Sequence, residues 1–401
     1  MGDRNPDRPD TNEPNAASHR IERLRAACAE EGMDAFLVRG TSNIAYLTAF
    51  DGVFDDEDAH ALLVAPGDAV LHTDSRYSAA ARSAAAGGPV KIDDARVSHA
   101  AFAVDALSGR EPVAASGTGA DGAEDPATCV EGALLGIEDT MVLRDYRALE
   151  RAAEEASRPV RLTETAGLVL GLRAVKTPSE IARMKAAQAV TDAAFSHIIG
   201  FMRPGMTERE VQIELEDFMR RHGAEGLAFP SIVATGANGA SPHAIPGDAK
   251  LKAGQCVVLD FGARALGYCS DMTRTVFVGE PDARMRAAYE AIRAANEQVE
   301  AALRPGVTGR AMHELAEQVL ADHGFAGTMG HGLGHGVGMD VHEEPSLSPR
   351  NERPLAIGNV VTVEPGIYLP GAFGMRLEDF GALTEDGFEV FTRSTHDMVI
   401  V

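Results

Sequence analysis

Apolar positions fall in short blocks along the chain, and the spacing inside each block predicts its element. Ile21, Leu24, Cys28 and then Met33 lie on one face of a helix. Short apolar runs follow at Ala35–Val38, Ala61–Val64 and Ala69–His72, separated by Gly, Asp and Pro turns, and each reads as a strand. Strands and helical stretches alternate up to about residue 170, which predicts an α/β domain. Ahead of it, residues 1–17 are polar and Pro-rich and are expected to be disordered. A second beginning comes at Thr177-Pro178-Ser179-Glu180, a capping box with Pro at the first helical position before Ile181, Met184, Ala187 and Val190. A chain of 401 residues exceeds one ordinary core. The expected domains are therefore 18–171 and 172–401.

The second domain repeats itself. Arg203-Pro204-Gly205-Met206-Thr207 opens a helix that ends at His222-Gly223, and Arg304-Pro305-Gly306-Val307-Thr308 opens another that ends at His323-Gly324. Matched starts, lengths and ends point to duplication rather than to two chance caps. Two similar halves predict a site at their junction.

Composition narrows the partners. The chain carries 37 Lys+Arg against 60 Asp+Glu, a net charge of −23, which argues against nucleic acid and anionic membranes. An acidic, solvated surface is the simpler reading. No apolar run approaches the ~18 residues of a membrane span, and no signal-type segment opens the chain, so a cytoplasmic protein is expected. Cys28, Cys129, Cys256 and Cys269 are scattered, and read as free thiols used in packing.

Candidate chemistry lies in three places. Cys256–Leu259 reads as a buried strand ending at Asp260, and Thr273–Val278 as another beginning after Asp271. A hairpin turning through Gly262–Gly267 lets Asp260 and Asp271 face each other with Cβ atoms ~5 Å apart. Two such carboxylates repel and lose hydration, and a cation between them relieves both costs. Val360–Val363 leading to Glu364, and Met375–Leu377 leading to Glu378, repeat the device around Pro365-Gly366 and Pro370-Gly371. The third place is Gly330-His331-Gly332-Leu333-Gly334-His335-Gly336-Val337-Gly338. Its glycines each cost about 1 kcal/mol in a helix, which excludes a helical zinc motif. The spacing matches neither phosphate-binding glycine loop. Extended backbone carrying imidazoles is the reading that remains, and His342-Glu343-Glu344-Pro345 adds a third histidine.

These residues resemble the pita-bread metallopeptidases, the family of prolidase, aminopeptidase P, methionine aminopeptidase and creatinase. The resemblance runs from Leu172 onward and implies a pseudo-twofold α+β catalytic domain. It implies five metal ligands: Asp260, Asp271, His335, Glu364 in Thr-Val-Glu-Pro-Gly, and Glu378 in Arg-Leu-Glu-Asp. The stretch Pro230–Gly236 with Pro242-His243 is similar to the segment that supplies an active-site histidine, here His243, and His342 resembles the family's second one. Thr41–Thr48 and Thr73–Tyr77 resemble the creatinase-type N-terminal domain, which moves the expected substrate toward Xaa-Pro.

The resemblance further implies two divalent ions (Mn²⁺, with Co²⁺ or Zn²⁺ as options) sharing a bridging water that attacks the carbonyl before proline. Glu364 would be general base, and His243 and His342 would bind the carbonyl or oxyanion. Arg376 would buttress the carboxylates. His331 either lines the proline pocket or packs structurally, and Arg350 either grips the substrate carboxylate or is an exposed loop residue. An Xaa-Pro dipeptidase is the leading expectation. An aminopeptidase P, a hydrolase of another small amide and a non-enzymatic binding module are the alternatives. The present ligand set weighs against the binding module. A small-peptide substrate and a homodimer complete the expectation.

Overall fold

In the computed structural model, which describes residues 15–55, 57–109 and 132–401, the chain divides into two compact units, Glu13–Leu172 and Arg173–Val401. Cys129 and residues 1–14 lie outside the described residues.

The alternating pattern of the first unit becomes one six-stranded mixed sheet. Its order is Val90–Asp93, Asp68–Thr73, His60–Ala65, Ala35–Val38, Ala133–Glu138, Val160–Thr165. All four residues of the inner strand Ala35–Val38 are buried, as expected of a strand covered on both faces. The helix Ala16–Glu30 starts inside the stretch expected to be disordered. Ala16 is buried, and Arg20 lies over the Tyr46 ring and donates to the Tyr46 carbonyl at 2.8 Å.

The second unit begins with the capping box. The Thr177 amide donates to Glu180 Oε2 at 2.8 Å and the Glu180 amide to Thr177 Oγ1 at 3.3 Å, starting the helix Pro178–Phe201. The helix Glu208–Arg221 follows, and the pair packs on a sheet ordered Val399–Ile400, Met272–Val278, Gln255–Phe261, Ile232–Thr235. Phe195, Ile198, Val211, Leu215, Val257, Leu259 and Val276 form that core. The helices Ala283–Ala302 and Gly309–Asp322 pack on a second sheet through Ile292, Val299, Leu320, Leu333, Val361 and Val363. That sheet is ordered Glu343–Leu347, Gly334–Gly336, Val360–Val363, Asp379–Thr384, Gly387–Val390. Burying each large aliphatic side chain contributes roughly 1.5–3 kcal/mol.

The two halves match in detail. Gly205 and Gly306 both have φ 93°, a region that disfavours other residues, and their amides donate to the Leu251 and Leu355 carbonyls at 2.8 Å each. Thr207 and Thr308 cap their helices, accepting from the Glu210 and Ala311 amides at 3.1 Å each. At the other end, His222 Nδ1 lies 2.7 Å from the Phe218 carbonyl and His323 Nδ1 2.8 Å from the Val319 carbonyl. The repeated His-Gly is helix-capping chemistry. Among the described residues no helix is long and apolar enough to cross a membrane.

Candidate metal centre and active site

The apolar strand Gln255–Phe261 carries Asp260 near its end, opposite Thr273 rather than Asp271. The stretch expected to be a plain turn, Gly262–Gly267, contains the short strand Ala263–Ala265, which pairs with Tyr268–Cys269 just beyond it and with Gly226–Leu227. One register runs from Asp260 opposite Thr273 to Ala265 opposite Tyr268, so the tip lies at Leu266–Gly267 and Asp260 is two residues out of step with Asp271. Asp271 therefore lies diagonally from Asp260 on the same face, where neighbours are ~7–8 Å apart. Both side chains line one cavity.

Glu364 and Glu378 come from a hairpin whose register never slips. Val363 pairs with Asp379, and beyond the two glutamates the pairing resumes with Gly366 opposite Arg376. Glu364 and Glu378 thus oppose each other across the interruption. Thr273 Oγ1 donates to Glu378 Oε2 at 2.6 Å, and the Glu378 amide donates to the Thr273 carbonyl at 3.1 Å. These bonds join the two halves of the repeat at the cavity.

His335 sits in the glycine-rich segment, on the strand Gly334–Gly336 between two neighbouring strands. A Cβ at Gly334 would fall on the Thr362 carbonyl, and one at Gly336 on the Glu344 carbonyl. Close backbone approach therefore requires both glycines. His335 Nδ1 lies 3.0 Å from the Gly336 carbonyl, so it carries the proton and leaves the Nε2 lone pair toward the cavity. That Nε2 is 3.6 Å from Asp271 Oδ2 and 3.5 Å from Glu364 Oε1.

One potential ligand atom each from Asp271, His335 and Glu378 lies within 4.8 Å of the others. Burial, then the charges of Asp260 and Glu364, push the Asp271 carboxyl well above its usual range. Burial, then Asp271 and Glu364, do the same to Glu378, and burial raises Glu364. Burial also lowers His335, keeping the imidazole neutral. A lone pair and several carboxylates thus converge at one buried place. The donor set fits a divalent metal that accepts oxygen and imidazole ligands. Asp260 is turned to Arg376, whose guanidinium Nη2 donates to Asp260 Oδ2.

Arg376 is buried and holds several groups at once. Its Nε donates to Thr273 Oγ1 at 2.9 Å and its Nη1 to the Tyr368 hydroxyl at 2.8 Å. Tyr368 in turn lies 3.0 Å from His331 Nε2, and His331 Nδ1 is 2.7 Å from the Gly332 carbonyl. This chain requires Tyr368 to donate to a neutral His331, and burial lowers the pKa of that imidazole. His331, His243 and His342 all line the cavity, and the His342 ring meets His335 edge-on at 4.4 Å. The cavity encloses about 670 Å³, and Phe229, Pro230, Ile232, Pro242 and Ile245 form its apolar wall.

Arg350 is not brought to this cavity. It is exposed on a turn whose Pro349 carbonyl accepts from Arg310 Nε at 2.8 Å, which ties the turn to the helix Gly309–Asp322. The sequence reading also passed over Thr273 and Tyr368. Thr273 stands two residues beyond Asp271, and strand alternation alone assigns it to the same face. Tyr368 carries no comparable signal. Cys256 and Cys269 are buried and their thiols are pushed up to about 12, which suits packing and not nucleophilic attack.

Residues 182–385 match the metallopeptidase family M24, and residues 20–175 match the creatinase/prolidase N-terminal domain. The chain belongs to the M24 metallopeptidases and is an enzyme of that family, with the two-domain architecture of its prolidase-type members. It is 34% identical to an uncharacterized peptidase, YqhT, of Bacillus subtilis, over 95% of this chain and 100% of the relative. An Xaa-Pro dipeptidase from Bacillus anthracis has a similar structure, with a TM-score of 0.84 and 35% identity, covering 96% of this chain and 100% of that one. An X-Pro aminopeptidase from Thermotoga maritima superposes with a TM-score of 0.78 and 30% identity, covering 95% and 100%.

Proposed function

We propose that the chain hydrolyses the Xaa-Pro bond of dipeptides, using two divalent ions, Mn²⁺ by preference, held by Asp260, Asp271, His335, Glu364 and Glu378. The convergence of Asp271, His335 and Glu378 in one buried cavity carries the reading. The likeness to an Xaa-Pro dipeptidase along nearly the whole chain supports the substrate class. When bound, the ions supply Lewis acidity and a water acidic enough to attack near neutral pH.

The protein's own groups do the rest. Glu364, which faces the cavity beside His335 Nε2 at 3.5 Å, takes the water proton. Thr362 Oγ1, 3.2 Å from Glu364 Oε1, holds that carboxylate in place. His342, kept neutral by burial, donates an N–H to the carbonyl oxygen as negative charge develops there, and His243 acts from the facing wall. The His331 ring, fixed by Tyr368 and Gly332, presents a flat surface to the proline. Arg376 orients Asp260 and Thr273 behind the centre.

An aminopeptidase P acting on longer peptides is the second reading, favoured by the likeness to the X-Pro aminopeptidase structure. A panel of Ala-Pro, Ala-Pro-Ala and Met-Ala-Ala, offered to the Mn²⁺-loaded protein, separates the two. Cleavage of Ala-Pro in preference to the tripeptides supports the dipeptidase, and preference for Ala-Pro-Ala makes the enzyme an aminopeptidase P. Cleavage of Met-Ala-Ala alone overturns the Xaa-Pro assignment.

A further inference from the structure

Behind the carboxylate cluster, on the opposite face of the same strands, lies a second charged group that the reaction does not use. Successive strand residues point to opposite faces, so Glu378 and the Thr273 hydroxyl bonded to it lie on the carboxylate side while Arg274 and Asp379 point away from it. Arg274 is 1% exposed, and all five of its N–H groups are engaged. Nη1 donates to the Thr273 carbonyl at 3.0 Å and the Glu378 carbonyl at 2.6 Å. Nη2 donates to Asp379 Oδ1 at 2.6 Å and the Ser394 carbonyl at 2.8 Å, and Nε to the Thr395 carbonyl at 3.1 Å. The second oxygen of Asp379 meets His396 Nε2 at 2.6 Å, and His396 Nδ1 lies 3.3 Å from Glu297 on the helix Ala283–Ala302.

One guanidinium therefore joins the backbones of Glu378, which lines the cavity, and of Thr273, which binds its carboxylate, to Ser394 and Thr395. A buried charge so fully paired is costly to leave half-satisfied, so losing one partner disturbs the others.

We infer that Arg274, Asp379 and His396 form a positioning clamp for the metal centre, in which His396 holds Asp379 and Arg274, and through them the backbone that sets Glu378 and Thr273. The inference rests on reading the cavity cluster as a metal site. Residues that support metal ligands from behind typically change metal affinity by about 10–100-fold, and His396, one step further out, belongs at the lower end.

The test compares His396→Asn, too short to reach Asp379, with His396→Gln, which reaches it with an amide donor. Mn²⁺ binding to the chelator-stripped full chain is measured by calorimetry, with the metal-free unfolding temperature recorded for each protein. His396→Asn should raise the Mn²⁺ Kd about tenfold, and His396→Gln should restore it. His396→Ala, as a second truncation, should repeat the loss. An unchanged Kd in both truncated proteins overturns the clamp alone, as does an equal loss in His396→Gln. Absence of Mn²⁺ binding by the unaltered chain overturns the metal site itself, and the clamp with it.

Discussion

Replacing Asp271 by Asn should stabilise the metal-free protein and abolish its stabilisation by metal. Asp271 and Glu378 place carboxylate oxygens within 4.8 Å of each other in a buried site. At an effective dielectric constant of about 20, two unit charges at that distance repel by about 3.5 kcal/mol. The folded protein relieves part of this by protonation, since the Asp271 pKa is raised by burial and by Asp260 and Glu364. A carboxyl whose folded pKa exceeds its unfolded value costs stability as pH rises above the unfolded value of ~4, because the unfolded chain then holds fewer protons than the native one. The neutral amide escapes that cost. At pH 8 in chelator, Asp271→Asn should be more stable by roughly 1–3 kcal/mol, a rise in Tm of several degrees for a unit of this size. Mn²⁺ at about 100 times its Kd should stabilise the unaltered protein by about 2.7 kcal/mol and leave the variant unmoved. Scanning calorimetry should therefore show the variant ahead in chelator, and a rise in Tm with Mn²⁺ for the unaltered protein alone. A variant less stable in chelator, or one that gains as much from Mn²⁺, would refute the reasoning.

Other outcomes follow from groups around the site. Glu343 is buried, which pushes its carboxyl up, but Lys176 at 3.0 Å and Arg173 outweigh burial and hold it below its ordinary range. Its stabilisation is present above the unfolded pKa of ~4.3 and lost as pH falls through the lower folded value. Tm measured from neutral pH downward should fall through that window, and the fall should be shallower in Glu343→Gln. Gly334→Ala drives a methyl group into the Thr362 carbonyl and should cost several kcal/mol by urea denaturation, whereas Gly254→Ala, with open space around it, should cost only the strain of its positive φ. Tyr368→Phe removes the hydroxyl between Arg376 and His331 and, with His331 in its proposed place against the proline, should raise KM for Ala-Pro more than it lowers kcat.

Much of this architecture is legible in the sequence. The buried runs Cys256–Leu259 and Val360–Val363 became strands because such runs have few other destinations. The helix starts at Thr177, Thr207 and Thr308 were legible because capping chemistry is local. Glu364 and Glu378 could be paired because the hairpin between them keeps one register to its tip. Asp260 and Asp271 could not, because Ala263–Ala265 is held as a strand by Gly226–Leu227, far back in the chain, and carries the hairpin on to a tip at Leu266–Gly267. The position of Arg350 depended on where its turn is tied, and Arg310 decides that from another helix. Tyr368 reaches His331 across 37 residues and Arg274 reaches Asp379 across 105, and local pattern carries no record of such contacts.

The central claim is that the converging carboxylates and His335 hold the ions that drive Xaa-Pro cleavage. The direct measurement titrates Mn²⁺ into stripped protein while following bound metal and Ala-Pro hydrolysis together. Turnover that is absent at the start and reaches its plateau as two ions per chain are bound is the predicted result. Full hydrolysis by the stripped protein, or two tightly bound ions with no hydrolysis, would contradict it.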